Sequence, residues 1–203
     1  FVDMSAVHFM EQISNEVEAL KSELGRHLYL IAESDLNNPR VVWSKDIGGY
    51  GHHAQWSDDF HHALHSILTG ERDGYYNDFG RIADLAKALK SVFVNDGRFS
   101  PFRQRYHGRP VTNLSGNCFL GYIQDHDQIG NRAKGERISH LVNTGRVKIA
   151  AAFVFFAPFV PMMFQGEEWA ASAPFQYFTD HQDPGLGEAV KEGRRAEFQS
   201  FAW

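Results

Sequence analysis

Two apolar runs of strand length each end abruptly in acids. Leu28-Tyr29-Leu30-Ile31-Ala32 meets Glu33-Ser34-Asp35, and Phe119-Leu120-Gly121-Tyr122-Ile123-Gln124 meets Asp125-His126-Asp127. A continuous apolar run of about five or six residues between turn signals reads as a buried parallel strand. In parallel α/β folds the groups that do chemistry sit at the carboxyl ends of such strands. A chain built this way is constrained to an α/β architecture with its acids on one rim.

The remaining pattern fits. Asp3 can cap a helix whose apolar positions run Ala6, Phe9, Met10, Ile13, Val17, Leu20 and Leu24, with Gly25 as its stop. Ala54 to Asp58 reads as a short, weaker strand, and Phe60 to Leu68 as a turn or two of helix. Ile82 to Phe93 has helical spacing, and Asn95 to Gly116, with five Gly or Pro positions, reads as a long irregular loop of functional length. Ile138 to Phe156 reads as one helix, followed by a strand Pro161 to Phe164 and a polar strand end, Gln165-Gly166-Glu167-Glu168-Trp169. The order, a helix and then strand-loop-helix repeated, fits four successive strands of a (β/α)8 barrel. The expectation is α/β, residues 1–203 forming roughly its fifth to eighth strands, with open edges that invite aggregation or dimerisation.

Composition narrows the partners. The 203 residues carry a net charge of −5, so no electrostatic footprint for nucleic acid or an anionic membrane is visible. The longest apolar stretch, Ile149 to Phe164, is too short for a membrane span and is broken by Pro158 and Pro161. Cys118 is the only cysteine, which suits a reducing cytoplasm, and its place before a strand predicts a buried, inert thiol. The chain begins with Phe1 rather than Met, so its start says nothing about a leader.

Two carboxylates at strand ends suit general acid and electrostatic roles on an uncharged polar substrate, with glycoside hydrolysis the leading case. Partial burial would raise the pKa of Glu33 and keep it protonated, ready to donate to a leaving oxygen. Glu33 could equally cap the next helix or pair with Arg40. Asp127, beside His126, suits an ionised group that holds sugar hydroxyls, or an ordinary loop-initiating Asp. Trp56 and Trp169 read either as sugar platforms or as core. His52, His53, His61, His62 and His65 lack the HExxH spacing or clustered cysteines of zinc sites, and read as solvated or sugar-binding side chains rather than metal ligands.

Four strings carry a resemblance: Leu30 to Asn37 (LIAESDLN), Ala54 to His62 (AQWSDDFHH), His126 to Arg132 (HDQIGNR), and Phe164 to Trp169 (FQGEEW) followed by Pro174 to His181 (PFQYFTDH). Together they resemble the maltooligosyltrehalose trehalohydrolases, a family of the α-amylase superfamily. The resemblance implies hydrolysis of the α-1,4 bond beside the terminal trehalose of maltooligosyl trehalose, by a retaining mechanism and without a metal or organic cofactor. It makes Glu33 the general acid/base and Asp127 the transition-state stabiliser. Substrate contacts fall to His126, Asp125, Gln55, Trp56, Asp58 and Arg132. The alternatives are a glucan branching enzyme or other transglycosylase of that superfamily, and a non-catalytic carbohydrate-binding fragment.

Two departures from the family pattern follow. Phe1 to Ala6 resembles the stretch just after the family's nucleophile, which is then expected upstream of residue 1, because Ser5-Ala6-Val7-His8 puts Ser at that position. Asp125 stands where the family usually has Asn, and its extra charge is expected to alter sugar contacts or raise the pKa of Asp127.

Overall fold

The computed structural model describes residues 3–197 and 199. Phe1 and Val2, which carry part of the upstream resemblance, and the end at Phe201 to Trp203 lie outside the described residues. Four short strands, β1 (Ile31–Ala32), β2 (Ala54–Trp56), β5 (Phe119–Gly121) and β6 (Val160–Pro161), form one parallel sheet in the order β1-β2-β5-β6. Successive strands are neighbours and all point the same way, as in the wall of an α/β barrel. The register pairs Ala32 with Gln55, Trp56 with Leu120, and Leu120 with Val160, so the carboxyl ends stand level.

One sheet face carries the core. Helices α2 (Asp58–Thr69), α3 (Ile82–Ser91) and α6 (Thr144–Phe156) bring Phe60, Leu64, Leu85, Ala88 and Val154 against Phe119 and Phe159. On the other face Ile31 and Val160 remain exposed, while Ala54 and Leu120 are buried. The buried strand expected over Leu28 to Ala32 is therefore corrected. Only Ile31 and Ala32 pair, and Tyr29 is exposed because β1 is the sheet's edge.

Other boundaries also move. Helix α1 spans Phe9–Leu24 and ends at Gly25 in the left-handed conformation (φ 59°), but its N-cap is His8, with Asp3 accepting from the Ser5 and Phe9 amides outside it. The Asn95 to Gly116 loop contains a hairpin of β3 (Arg98–Ser100) and β4 (Arg105–His107). The helix expected from Ile138 to Phe156 is two, α5 (Ile138–Leu141) and α6, because Asn143 caps the second by accepting from the Arg146 amide. The strand placed at Pro161 to Phe164 lies earlier, at Val160–Pro161. Cys118 is half-buried, not buried.

Asp59 ties the rim together. Its Oδ2 accepts from the Val94 and Asn95 amides (2.7 Å each) and from Asn37 Nδ2 (2.9 Å). Val92, at φ 67° and ψ −59°, makes the tight turn after α3 that swings those two amides inward. Burial pushes the Asp59 carboxyl up to about 6, against these donors. Replacing Asp59 with Ala removes the acceptor from two buried backbone amides and is expected to cost about 3 kcal/mol, read from the denaturant midpoint.

Candidate active site

The strand ends converge on acids. Glu33 follows β1, Asp58 opens α2 two residues after β2, and Asp127 lies in the first turn of the short helix α4 (His126–Gly130) after β5. Asp127 is thus helical, not the last residue of a strand. The sequence missed this because Asp125 ends the extended segment as the N-cap: its Oδ1 accepts from the Asp127 amide (2.7 Å) and the Gln128 amide (3.3 Å), while Gln128 Oε1 accepts from the Asp125 amide (2.9 Å). That reciprocal cap fixes where Asp127 points.

Glu33 and Asp127 act on one another. Asp127 is the strongest of the neighbouring charges acting on Glu33, although the two come from strand ends separated by β2. The Glu33 pKa is raised, first by partial burial and then by the like charges of Asp127 and Asp125, with His126 opposing. Arg40, its alternative partner, instead donates from Nε to the Gly48 carbonyl (2.8 Å) and lies over the Tyr50 ring. His126 and Asp127 are open to solvent, with His126 Nε2 3.4 Å from Asp127 Oδ1. Asp125, in contrast, is buried, and its carboxyl is pushed up to about 6 by burial, with Asp127 adding to the shift. The charge conflict expected of Asp125 therefore falls on Asp125 itself and on Glu33.

Asp58 sits on the same rim. Burial pushes it up to about 6, with Asp35 and Glu33 adding, while the Tyr122 hydroxyl donates to its Oδ1 (2.6 Å) and opposes the shift. Trp56 is half-buried and packs edge-on against Tyr122, its ring centroid 5.1 Å away. Trp169 is 72 % exposed and so is no core residue. Gln55 and Arg132 have different surroundings. Gln55 is buried and donates from Nε2 to the Ser34 carbonyl (3.0 Å), bracing the residue after Glu33. Arg132 is buried and forked onto Glu71 (2.8 and 3.1 Å), which also faces His65 Nε2 at 2.7 Å.

Of the histidines read as solvated or sugar-binding, His52, His61, His62 and His65 are buried and His53 is half-buried. His61 lies parallel to Tyr122, His65 lies parallel to Tyr76, and His62 packs on Tyr75 and Phe79. Burial lowers all three pKa values, His62 to about 3, and holds the rings neutral. Sequence reasoning gave no role to Tyr122 or Glu71; Tyr122 faces the rim two residues beyond Leu120, at the period of a strand.

No family model matches the chain. Curated relatives include the malto-oligosyltrehalose trehalohydrolases of Arthrobacter ramosus, 48 % identical over 202 residues (99 % of this chain, 35 % of the relative), and Saccharolobus solfataricus, 50 % identical over 199 residues (97 % and 34 %). A solved structure from Salmonella typhimurium assigned to the alpha amylases superposes with a TM-score of 0.87 at 36 % identity, covering 99 % of this chain and 34 % of that one. Parallel strands, level acidic ends and this superposition define the chain as part of an α-amylase-type α/β barrel. Within that class it resembles malto-oligosyltrehalose trehalohydrolase along its whole length. The chain spans about a third of the length of the curated relatives it matches. Those relatives carry a hydrolase's name, so the branching-enzyme alternative finds no support in them.

Tyr122→Phe removes the hydroxyl that donates to Asp58 Oδ1 and opposes its shift. The Asp58 pKa is expected to rise above its value of about 6, as read by carbon-13 NMR titration of the labelled carboxyl; an unchanged or lower value contradicts the assignment.

Proposed function

We propose that the protein to which this chain belongs cleaves the α-1,4-glucosidic bond beside the terminal trehalose of maltooligosyl trehalose and releases trehalose, and that residues 1–203 form the second half of its catalytic barrel. The observation that carries the reading is the gathering of Glu33, Asp125 and Asp127 at the strand-end rim, where partial burial and like charge raise the Glu33 pKa. That shift favours the protonated form of Glu33, which donates to the leaving glycosidic oxygen. Asp127 stays beside the anomeric carbon as positive charge develops there. A carboxylate supplied from outside this chain attacks that carbon to form the glycosyl-enzyme. Glu33 then takes a proton from the incoming water, which displaces the enzyme carboxylate with overall retention.

The other residues divide by their surroundings. His126, Asp58 and the half-buried face of Trp56 offer donors, an acceptor and a stacking surface to sugar rings. Asp125, Gln55 and Arg132, each of which already bonds to the protein, act on the substrate through the segments they hold. No metal or organic cofactor is required by these steps. No helix among the described residues is long and apolar enough to cross a membrane. The single cysteine suits a reducing cytoplasm.

The test is trehalose release from maltooligosyl trehalose by the full-length protein. Stoichiometric trehalose and a shortened glucan are expected; rearranged glucan without trehalose contradicts the reading. Glu33→Gln should lower turnover by about 10²- to 10⁴-fold. Asp125→Asn keeps an oxygen for the helix cap but removes a charge that raises the Glu33 pKa. Glu33 then loses its proton at lower pH, so the alkaline limb of the kcat profile should move to lower pH. A limb that stays or moves upward contradicts the acid role.

A further inference from the structure

Glu167 lies in the loop beyond β6, outside the acid cluster. Its Oε2 accepts from the Phe164 amide (3.1 Å), and it lines one small cavity together with Gln124, whose amide favours the charged carboxylate. Gln124 is buried, and its Oε1 accepts from the Ile138 amide (2.9 Å). That donor fixes the orientation of the amide, since Oε1 must face the Ile138 N–H and Nε2 must face Glu167. Gln124 immediately precedes Asp125, the cap that orients Asp127.

The surrounding loop is locked as well. The Arg137 guanidinium donates to the Gln165 carbonyl (2.8 Å) and the Ala173 carbonyl (2.9 Å). Gly166 sits at φ 85°, where an added Cβ would fall 2.9 Å from the Ala171 Cβ. Burial pushes the Glu167 carboxyl up to about 7, against the donors at Phe164 and Gln124 and with Glu168 adding to the shift. A buried carboxyl is costly unless its acceptors are used, and here they join the loop after β6 to the turn after β5.

We propose that Glu167 is a positioning residue, which fixes Gln124 and through it the capped turn that presents Asp127. Its role as an aid to turnover rests on the hydrolase reading above. The linkage itself does not, because it can be read in the turn directly.

The experiment is a side-chain exchange in the full-length protein. Glu167→Gln alone sets one amide NH₂ against another, and Gln124→Glu alone sets one carboxylate against another. The double exchange restores the pairing: the new Glu at 124 accepts from the Ile138 amide and from the new Gln at 167, whose oxygen accepts from Phe164. Hydrogen exchange of the Asp127 and Gln128 amides, which donate to Asp125, reports the turn. Each single variant should speed that exchange about tenfold or more, and the double should return it to within about threefold of wild type. On maltooligosyl trehalose, well below each variant's Tm, the singles should lose about tenfold or more in kcat with little change in KM, and the double should regain it. Exchange and kcat unchanged in the single variants, or singles that the double fails to rescue, overturn the proposal. If the wild type releases no trehalose, the hydrolase reading fails, while the exchange data still decide the linkage.

Discussion

Parallel pairing in level register is the constraint on which the rest depends. Ala32 opposite Gln55 and Trp56 opposite Leu120 bring the ends of β1, β2 and β5 to one height. A single-residue slip in any of these ladders would turn Glu33 or Trp56 from the rim to the helix layer. The helices α2 and α3 and the Asp59 hub maintain that register by holding loops, not strands. The strands themselves are only two or three residues long and could not hold it by hydrogen bonds alone.

The rim then gathers more negative charge than water would normally allow side by side. Glu33, Asp58 and Asp125 all have raised pKa values, in each case through burial first and neighbouring carboxylates after. The structure tolerates this by giving Oδ1 of each aspartate a donor: Tyr122 for Asp58, and the Asp127 and Gln128 amides for Asp125. Beneath the acids lies a layer of uncharged rings, His61, His62, His65, Tyr76 and Tyr122, stacked rather than ionised. A neutral layer of this kind keeps the local dielectric low without adding compensating positive charge, so the pKa values of the acids stay raised.

Much of this was legible in the sequence, and the failures share a physical cause. Glu33 and Asp127 were readable because an apolar run that stops at an acid is a local signal. The α1 stripe and its Gly25 stop were local too. The β3–β4 hairpin was hidden because its three-residue strands carry no alternation, and its turn is held by Asp78, which accepts from the Phe102 amide 24 residues away. The histidines were misplaced because composition cannot distinguish a solvated imidazole from one stacked on Tyr76. Arg132 read as a sugar ligand from its motif, yet Glu71, 61 residues earlier, claims its guanidinium. Each of these depends on a contact between segments that are distant in sequence.

The most direct measurement replaces Glu33 with Ala in the full-length protein and supplies azide during turnover of an α-maltooligosyl fluoride, whose fluoride leaves without the proton that Glu33 donates to a glycosidic oxygen. An acid/base residue of a retaining hydrolase is needed to activate water but not azide. The account predicts that azide restores turnover and yields a glycosyl azide of retained α configuration. A glycosyl azide of inverted configuration would make Glu33 the nucleophile, and failure of azide to restore any turnover would remove it from acid/base chemistry; either result contradicts the account.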